Sequence, residues 1–149
     1  MKALQVSAID SGTVIDHIES GQTFNVAEIL KVPQEKGVVL VGTNLDSKAL
    51  GKKGIIKVSG RDLTQQEVNK IALIAPDATV NIIKDYEVVK KFSVRIPDVI
   101  EGIVKCFNPN CVTNHQSLPT KFHVVERKPL KLRCHHCERT LGSKDVQLI

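Results

Sequence analysis

The sequence Cys106-Phe107-Asn108-Pro109-Asn110-Cys111, followed by Cys134-His135-His136-Cys137, contains all four cysteines of the chain. Two close pairs separated by a longer stretch form two chelating turns that can meet at one tetrahedral metal ion. The second pair has the C-x2-C spacing of a metal knuckle, and the C-x4-C spacing of the first lies within the usual range for ligands. We therefore predict a structural zinc (Zn²⁺) site with four ligands, Cys106, Cys111, Cys134 and Cys137.

Disulfides and a redox dithiol are the alternatives to this metal site. Residues 1–6 predict an alternating strand rather than the apolar segment of a secretory signal, so we expect a cytoplasmic protein, in which thiolate–metal bonds are favoured over disulfides. Thioredoxin-like C-x-x-C motifs open a helix, whereas Cys134 follows the strand-like residues 130–133. Three histidines could each replace a cysteine as ligand, although four thiolates already fill a tetrahedron: His115, His135 and His136.

Length and composition limit the classes of partner. The 149 residues contain no apolar run long enough to span a membrane, so we expect no membrane partner. Four thiolates and a dication contribute −2, which lowers the formal charge of +5 to about +3. Because neither half is strongly basic and the chain has no Trp, one Tyr and four Phe, a stacking platform for bases is hard to build. We expect no nucleic-acid partner.

Apolar periodicity predicts an α+β domain before the cysteines. Two helices are expected, over residues 23–31 and after the capping box formed by Thr64 and Glu67. Strands are expected on either side of them, over residues 4–9, 13–18, 38–41, 55–58, 79–83 and 87–89. This order of elements is typical of a ferredoxin-like sheet with two helices on one face.

The dipeptide Pro97-Asp98 predicts the boundary between two domains, residues 1–97 and 98–149. The second is expected to be a small all-β zinc-binding domain, with strands over residues 122–125, 130–132 and 146–149. About fifty residues with so few large apolar side chains cannot bury much core. The metal should therefore supply much of this domain's folding free energy.

Charged and polar residues on or beside the predicted strands are candidates for an anion site. No nucleophile motif, P-loop or dinucleotide fingerprint is present, so a catalytic role has no support. Lysines and a histidine can neutralise phosphates, and a carboxylate can accept hydrogen bonds from ribose hydroxyls. Lysines spread through an α+β domain more often belong to its solvated face. The candidates are Asp16, His17, Lys52, Lys53, Lys57, Asn81 and Lys91.

Four segments carry a resemblance to a known family. They are residues 12–18, residues 75–83, residues 86–89 and the two cysteine pairs, which occur in the family's order along nearly the full length. Together they resemble the regulatory chain of aspartate carbamoyltransferase. The resemblance implies a noncatalytic allosteric subunit in pyrimidine biosynthesis that binds CTP and ATP through its amino-terminal domain.

The resemblance also implies particular contacts and partners. Base and ribose contacts are implied for Ala8, Ile9, Val14, Asn81, Ile83, Tyr86 and Val88, and a further ribose contact for Asp16. Phosphate and sugar contacts are implied for His17, Lys57 and Lys91, with Lys53 nearby. The family further implies a homodimer formed through the amino-terminal domain and a zinc domain that contacts the catalytic chain.

Overall fold

A computed structural model of the protein describes residues 8–149, which fall into two compact units that divide between Arg95 and Ile96. In the first unit the elements are β1 (Gly12–Glu19), α1 (Thr23–Ile29), β2 (Val39–Ser47), β3 (Gly51–Ser59), α2 (Gln65–Ile74), β4 (Thr79–Lys84) and β5 (Glu87–Ser93). In the second they are β6 (Val99–Glu101), β7 (Lys121–Arg127), β8 (Leu130–Cys134) and β9 (Thr140–Gly142).

The first unit is a five-stranded antiparallel sheet with the order β2-β3-β1-β4-β5. Strand β3 lies between β1 and β2, so the connection through α1 is the split crossover of a ferredoxin-like domain. Strand β5 extends that arrangement by one edge strand. The α+β fold class is thereby confirmed. The strand predicted over residues 4–9 falls largely outside the described residues, and Ala8 and Ile9 have no regular structure.

One face of this sheet is the core. Ile15 in β1 lies opposite Ile56 in β3 and Val80 in β4, and all three side chains are fully buried. Helix α1 covers this face, because Thr23 at its start packs directly on Gly54 in β3. Helix α2 contacts α1. Since neighbouring residues on a strand point to opposite faces, the helices leave the other face of the sheet uncovered by either of them.

The second unit is a four-stranded antiparallel sheet with the order β6-β7-β8-β9, and its small core includes the fully buried Phe122 and Leu132. The strand predicted over residues 146–149 is wrong. Leu148 forms an isolated bridge with Val104, flanked by hydrogen bonds from Lys105 N–H to Gln147 O and from Ile149 N–H to Ile103 O, and this short pairing does not extend into a regular strand. Among residues 8–149, no helix combines the length and apolar character needed to cross a bilayer.

Candidate functional site

A row of paired residues crosses all five strands of the first unit on the face opposite the helices, here called the open face. Val14 in β1 lies opposite Lys57 in β3 and Asn81 in β4. The row continues to Leu40 in β2, opposite Lys57, and to Lys91 in β5, opposite Asn81. Directly opposed residues on antiparallel strands share a face. The sheet therefore brings two predicted phosphate-binding lysines and two predicted base contacts, Val14 and Asn81, onto one surface.

An apolar patch lies within the open face. Ile9, Val14 and Ile83 are buried and form one cluster, although the helical core is on the other side of the sheet. Leu40 and Ile55 are partly buried and pack against this cluster. Leu40 and Ile55 thus leave some apolar area accessible on the open face, next to cationic side chains.

A bulge in β1 places further polar groups beside the row. His17 has a φ of 57°, and its backbone N–H donates to Asp16 Oδ1 at 2.7 Å. Asp16 Oδ1 also lies 2.9 Å from Lys53 Nζ, and both side chains are about four-fifths buried. The ring of His17 is held by Thr79, with Nδ1 2.9 Å from Oγ1. Bulges re-aim side chains, and at this one a carboxylate pairs with an ammonium while the neighbouring imidazole is held by Thr79.

The pKa of Lys57 is shifted by its surroundings. Burial lowers its pKa from the ordinary lysine value, because a partly desolvated ammonium loses hydration. The negative charge of Asp16 acts in the opposite direction and only partly restores it. An anion placed on the open face would favour the charged form of Lys57.

The other predicted contacts are exposed near this surface. Tyr86 is 71% exposed in the turn between β4 and β5, and its backbone N–H donates to Asp10 O at 2.9 Å. Val88 is also exposed and lies opposite Ile83 across the β4–β5 pair. Ala8 is exposed next to the buried Ile9. These residues therefore adjoin the apolar patch without being part of a core.

A separate depression of about 300 Å³ lies at one end of the same sheet, and only Ile83 of the predicted contacts borders it. The predicted residues are therefore arranged across a surface rather than around this cavity. Its lining consists of Ser11, Gly12, Gly60, Arg61, Asp62, Ile82, Ile83, Lys84 and Asp85.

Three residues of this surface were not predicted as part of it. Ile55 lies two residues before Lys57 in the same strand, so period-two alternation places it on the face of Lys57, a signal that was available from the sequence. Leu40 reaches that face only through the register of β2 against β3. Thr79 lies opposite Asp16 across the β1–β4 pair. Its contact with His17 depends on strand register and on the bulge, which no local pattern reveals.

The second candidate site is the group of four cysteines in the second unit. Their sulfur atoms all lie within 4.8 Å of one another, with Cys106–Cys137 at 3.7 Å and Cys111–Cys134 at 3.8 Å. Metal–sulfur bonds of about 2.3 Å in a tetrahedron place sulfurs about 3.8 Å apart, so the four thiols fit a tetrahedral ion. All four are free thiols, which agrees with metal binding rather than a disulfide.

The surroundings of these thiols shift their pKa values in different directions. Burial raises the pKa of Cys106 and of Cys134. Burial acts the same way on Cys137, but hydrogen bonds from the Arg139 backbone and the Asn108 side chain outweigh it and lower its pKa to about 7. Asn114 Nδ2 donates to Cys106 O at 3.0 Å and to Asn108 O at 2.7 Å, which fixes the C-x4-C loop. Together these residues could hold a metal ion through four thiolates.

Comparisons with known proteins agree with this division into a sheet domain and a cysteine site. The family described as aspartate carbamoyltransferase regulatory chain, allosteric domain, matches residues 4–95. The family described as aspartate carbamoyltransferase regulatory chain, metal binding domain, matches residues 98–147.

Full-length relatives have the same description. Aspartate carbamoyltransferase regulatory chains from Pyrococcus abyssi and Bacteroides thetaiotaomicron are 58% and 47% identical to this chain over 148 residues. The alignments cover 98% and 99% of this chain, and 97% of each relative. The regulatory chain of Thermococcus sibiricus is 58% identical over 98% of this chain and 97% of its own length. This chain therefore belongs to the aspartate carbamoyltransferase regulatory chain family.

Proposed function

We propose that this chain is a noncatalytic allosteric subunit of an aspartate carbamoyltransferase, acts in pyrimidine biosynthesis in the cytoplasm, and binds CTP and ATP on its open face. The observation that carries the proposal is the row in which Lys57, Asn81 and Lys91 share one face with Val14. Membership of a regulatory family whose matched domain is described as allosteric supports an effector site on this unit.

Phosphate binding is assigned to the cationic side of this face. Lys57 and Lys91 supply ammonium donors on the same surface, while His17 and Lys53 lie at the bulge beside them. A triphosphate would offset the desolvation that lowers the pKa of Lys57. Charge-assisted hydrogen bonds from several donors fit a polyanion better than any single pair would.

Base and ribose binding are assigned to the apolar and polar neutral groups. Leu40 and Ile55, which pack against the buried Ile9, Val14 and Ile83, give apolar area on which a base can rest. Asn81 has both donor and acceptor atoms for a base edge, and Asp16 can accept from ribose hydroxyls. Ala8, Tyr86 and Val88 are exposed next to the patch and can offer backbone groups and contact area from its side.

Calorimetric titration of the full chain with CTP and with ATP tests these assignments. Lys57→Ala and Lys91→Ala should each weaken both affinities by about tenfold or more, because a charge-assisted hydrogen bond contributes roughly 1.5–3 kcal/mol. Lys90→Ala is the matched control. Lys90 adjoins Lys91 but lies opposite Ile82, on the other face of β5, so its loss should leave affinity nearly unchanged. Unchanged binding in both test variants would remove these residues from the site.

We further propose that the metal held by the four cysteines is Zn²⁺ in a structural role. Four thiolates with tetrahedral spacing and no open position fit zinc, which has no redox chemistry of its own. Elemental analysis of the chain purified without added metal should give one zinc per chain. Another metal at that stoichiometry, with no zinc, would contradict the identity.

The proposed partners are the catalytic chain, contacted by the metal domain, and a second copy of this chain, contacted through the amino-terminal domain. Within the described residues, β2 and β5 are the edges of the first sheet, and edge strands offer unpaired backbone groups to a second copy. Sedimentation of the purified chain should give a dimer. A monomer at concentrations well above the micromolar range would contradict that part of the proposal.

A further inference from the structure

Two histidine rings meet on the surface of the second unit, outside the four-cysteine site. His123 is in β7 and His135 follows the last residue of β8. Nε2 of His123 lies 3.0 Å from Nδ1 of His135, and the ring centroids are 5.2 Å apart. The backbone N–H of His135 donates to Lys121 O at 2.8 Å, so the sheet itself fixes the approach of the two rings.

Two nitrogen atoms at this distance can share either a proton or a metal ion. With metal–nitrogen bonds of about 2.05 Å, nitrogens 3.0 Å apart subtend an angle of about 94° at the ion. That angle is close to the 90° between neighbouring ligands in tetragonal or octahedral complexes, and below the tetrahedral angle that zinc prefers. Imidazole ligands in tetragonal geometry are typical of Cu²⁺ and Ni²⁺.

We propose that His123 and His135 form a second, exchangeable binding site for a divalent transition-metal ion of tetragonal preference, with water completing its coordination. His135 is exposed and His123 partly so, which leaves room for those waters. His136 packs edge-on against His135 with centroids 5.4 Å apart. It is not a third ligand, because the only group of three or more close metal-ligating atoms among the described residues is the four cysteines.

The surrounding charges give the site a distinguishing property. Arg133 lies opposite His123 across the β7–β8 pair, and Lys121 and Arg133 both act electrostatically on His135. These positive charges oppose a dication, so the site should bind its ion weakly and reversibly. Removing one of them should strengthen binding, an effect that nonspecific metal binding elsewhere on the chain would not reproduce.

Calorimetric titration of the full, zinc-loaded chain with NiCl₂ tests the proposal, with released zinc followed in parallel by a colorimetric chelator. We expect one Ni²⁺ per chain without zinc release. Binding should be lost in His123→Gln and in His135→Gln, retained in the matched control His136→Gln, and tightened several-fold in Lys121→Gln. His123→Gln is the better test of the two, because His123 is not adjacent to a cysteine and its replacement should not disturb the four-cysteine site.

Three results would overturn the site. Absence of Ni²⁺ binding to the unmodified chain would mean that the rings share only an N–H···N hydrogen bond. Unchanged binding in both His123→Gln and His135→Gln would place the ion elsewhere. Zinc release equal to nickel uptake would show exchange at the cysteines instead.

Discussion

At Gly54 the first helix approaches the sheet so closely that a methyl group has no room. A Cβ atom there would lie 1.9 Å from Thr23 Oγ1. Thr23 is fully buried, and its hydroxyl donates to Ser20 O and contacts Thr43 Oγ1 at 3.1 Å, so it cannot turn away without losing hydrogen bonds. Close packing of this kind makes even one added carbon costly.

We predict that Gly54→Ala lowers the free energy of unfolding of the first unit by about 1–3 kcal/mol, the usual cost of overpacking. Denaturant titration, monitored by circular dichroism, measures this loss of stability. Gly21→Ala is the control, because a Cβ at Gly21 would meet nothing within 4 Å. Equal stability of the two variants would show that Thr23 can move away from the added methyl group at little cost in free energy.

A second residue-scale prediction concerns Lys57 and pH. Burial lowers its pKa in the free chain, and a bound triphosphate should raise it again. Between these two values the free chain has a neutral Lys57 and the bound chain a charged one. Nucleotide binding should therefore take up protons at alkaline pH, and affinity should fall as pH rises through the pKa of the free chain.

Calorimetry in two buffers of different ionisation enthalpy measures this proton uptake. Lys57→Arg should abolish the Lys57 contribution, because a guanidinium stays charged throughout this range. Identical uptake in the unmodified chain and in Lys57→Arg would assign the proton to another group.

At the scale of single residues, the sequence identifies residue types that can bind an anion. It does not predict how they are arranged in space. Lys57 and Lys91 are recognisable as candidates, but only register shows that they share a face with Asn81. The contact of His17 with Thr79 depends on a positive φ in a bulge. Local propensity does not specify that geometry.

At the scale of the element, helix α2 is held at its start by the predicted capping box, which is confirmed. Thr64 Oγ1 accepts from the Glu67 backbone N–H at 3.1 Å, and Glu67 Oε1 accepts from the Thr64 backbone N–H at 3.0 Å. Glu67 also forms an ion pair with Arg61. Arg61 donates to Leu30 O at the end of α1, so one arginine links both helices.

We predict that Thr64→Ala destabilises the first unit by about 0.5–2 kcal/mol, because the backbone N–H of Glu67 loses its acceptor. Thr64→Ser keeps the hydroxyl and should stay within a few tenths of a kcal/mol of the unmodified chain. Thermal or denaturant unfolding distinguishes the two. If Thr64→Ser lost as much stability as Thr64→Ala, the effect would arise from packing of the threonine methyl group rather than from the cap.

Elements with local signals were predictable, and those that depend on distant pairing were not. Both helices follow from apolar spacing, and α2 also from its capping box. The short strand β9 was missed, and the alternating residues 146–149 were wrongly predicted as a strand. Alternation shows that a segment can pair, as Leu148 does with Val104, but it does not show how far the pairing extends.

At the scale of the whole molecule, the two units should respond differently to metal removal. The second unit has a small core, and a metal held by the four cysteines would cross-link the C-x4-C loop to the end of β8 and the residues after it. Its folding free energy should depend on the ion. We predict that a strong chelator unfolds residues 96–149 and leaves residues 8–95 folded.

Amide chemical shifts recorded before and after chelation measure this difference. Signals from the second unit should collapse to unfolded positions and return when zinc is added back. Native dispersion across residues 96–149 in a metal-free sample would contradict the prediction. CTP binding by the chelated chain should largely survive, because the open face belongs entirely to the first unit.

Family membership confirms the prediction of a noncatalytic regulatory chain, since the relatives and both matched domains have that description. This was predictable because the ordered segments and the cysteine spacing extend along nearly the whole sequence. An effector can change activity elsewhere only by binding two states of the assembly with different free energies, and the coupling is reciprocal. Composition and periodicity do not encode that difference.

Aspartate saturation of an aspartate carbamoyltransferase catalytic chain reconstituted with this chain tests the regulatory claim most directly. With CTP or ATP present, the half-saturating aspartate concentration should shift. The shift should be absent from the catalytic chain alone, lost with Lys57→Ala and kept with Lys90→Ala. Superimposable curves with and without either nucleotide, at concentrations that saturate binding to this chain, would contradict the proposal.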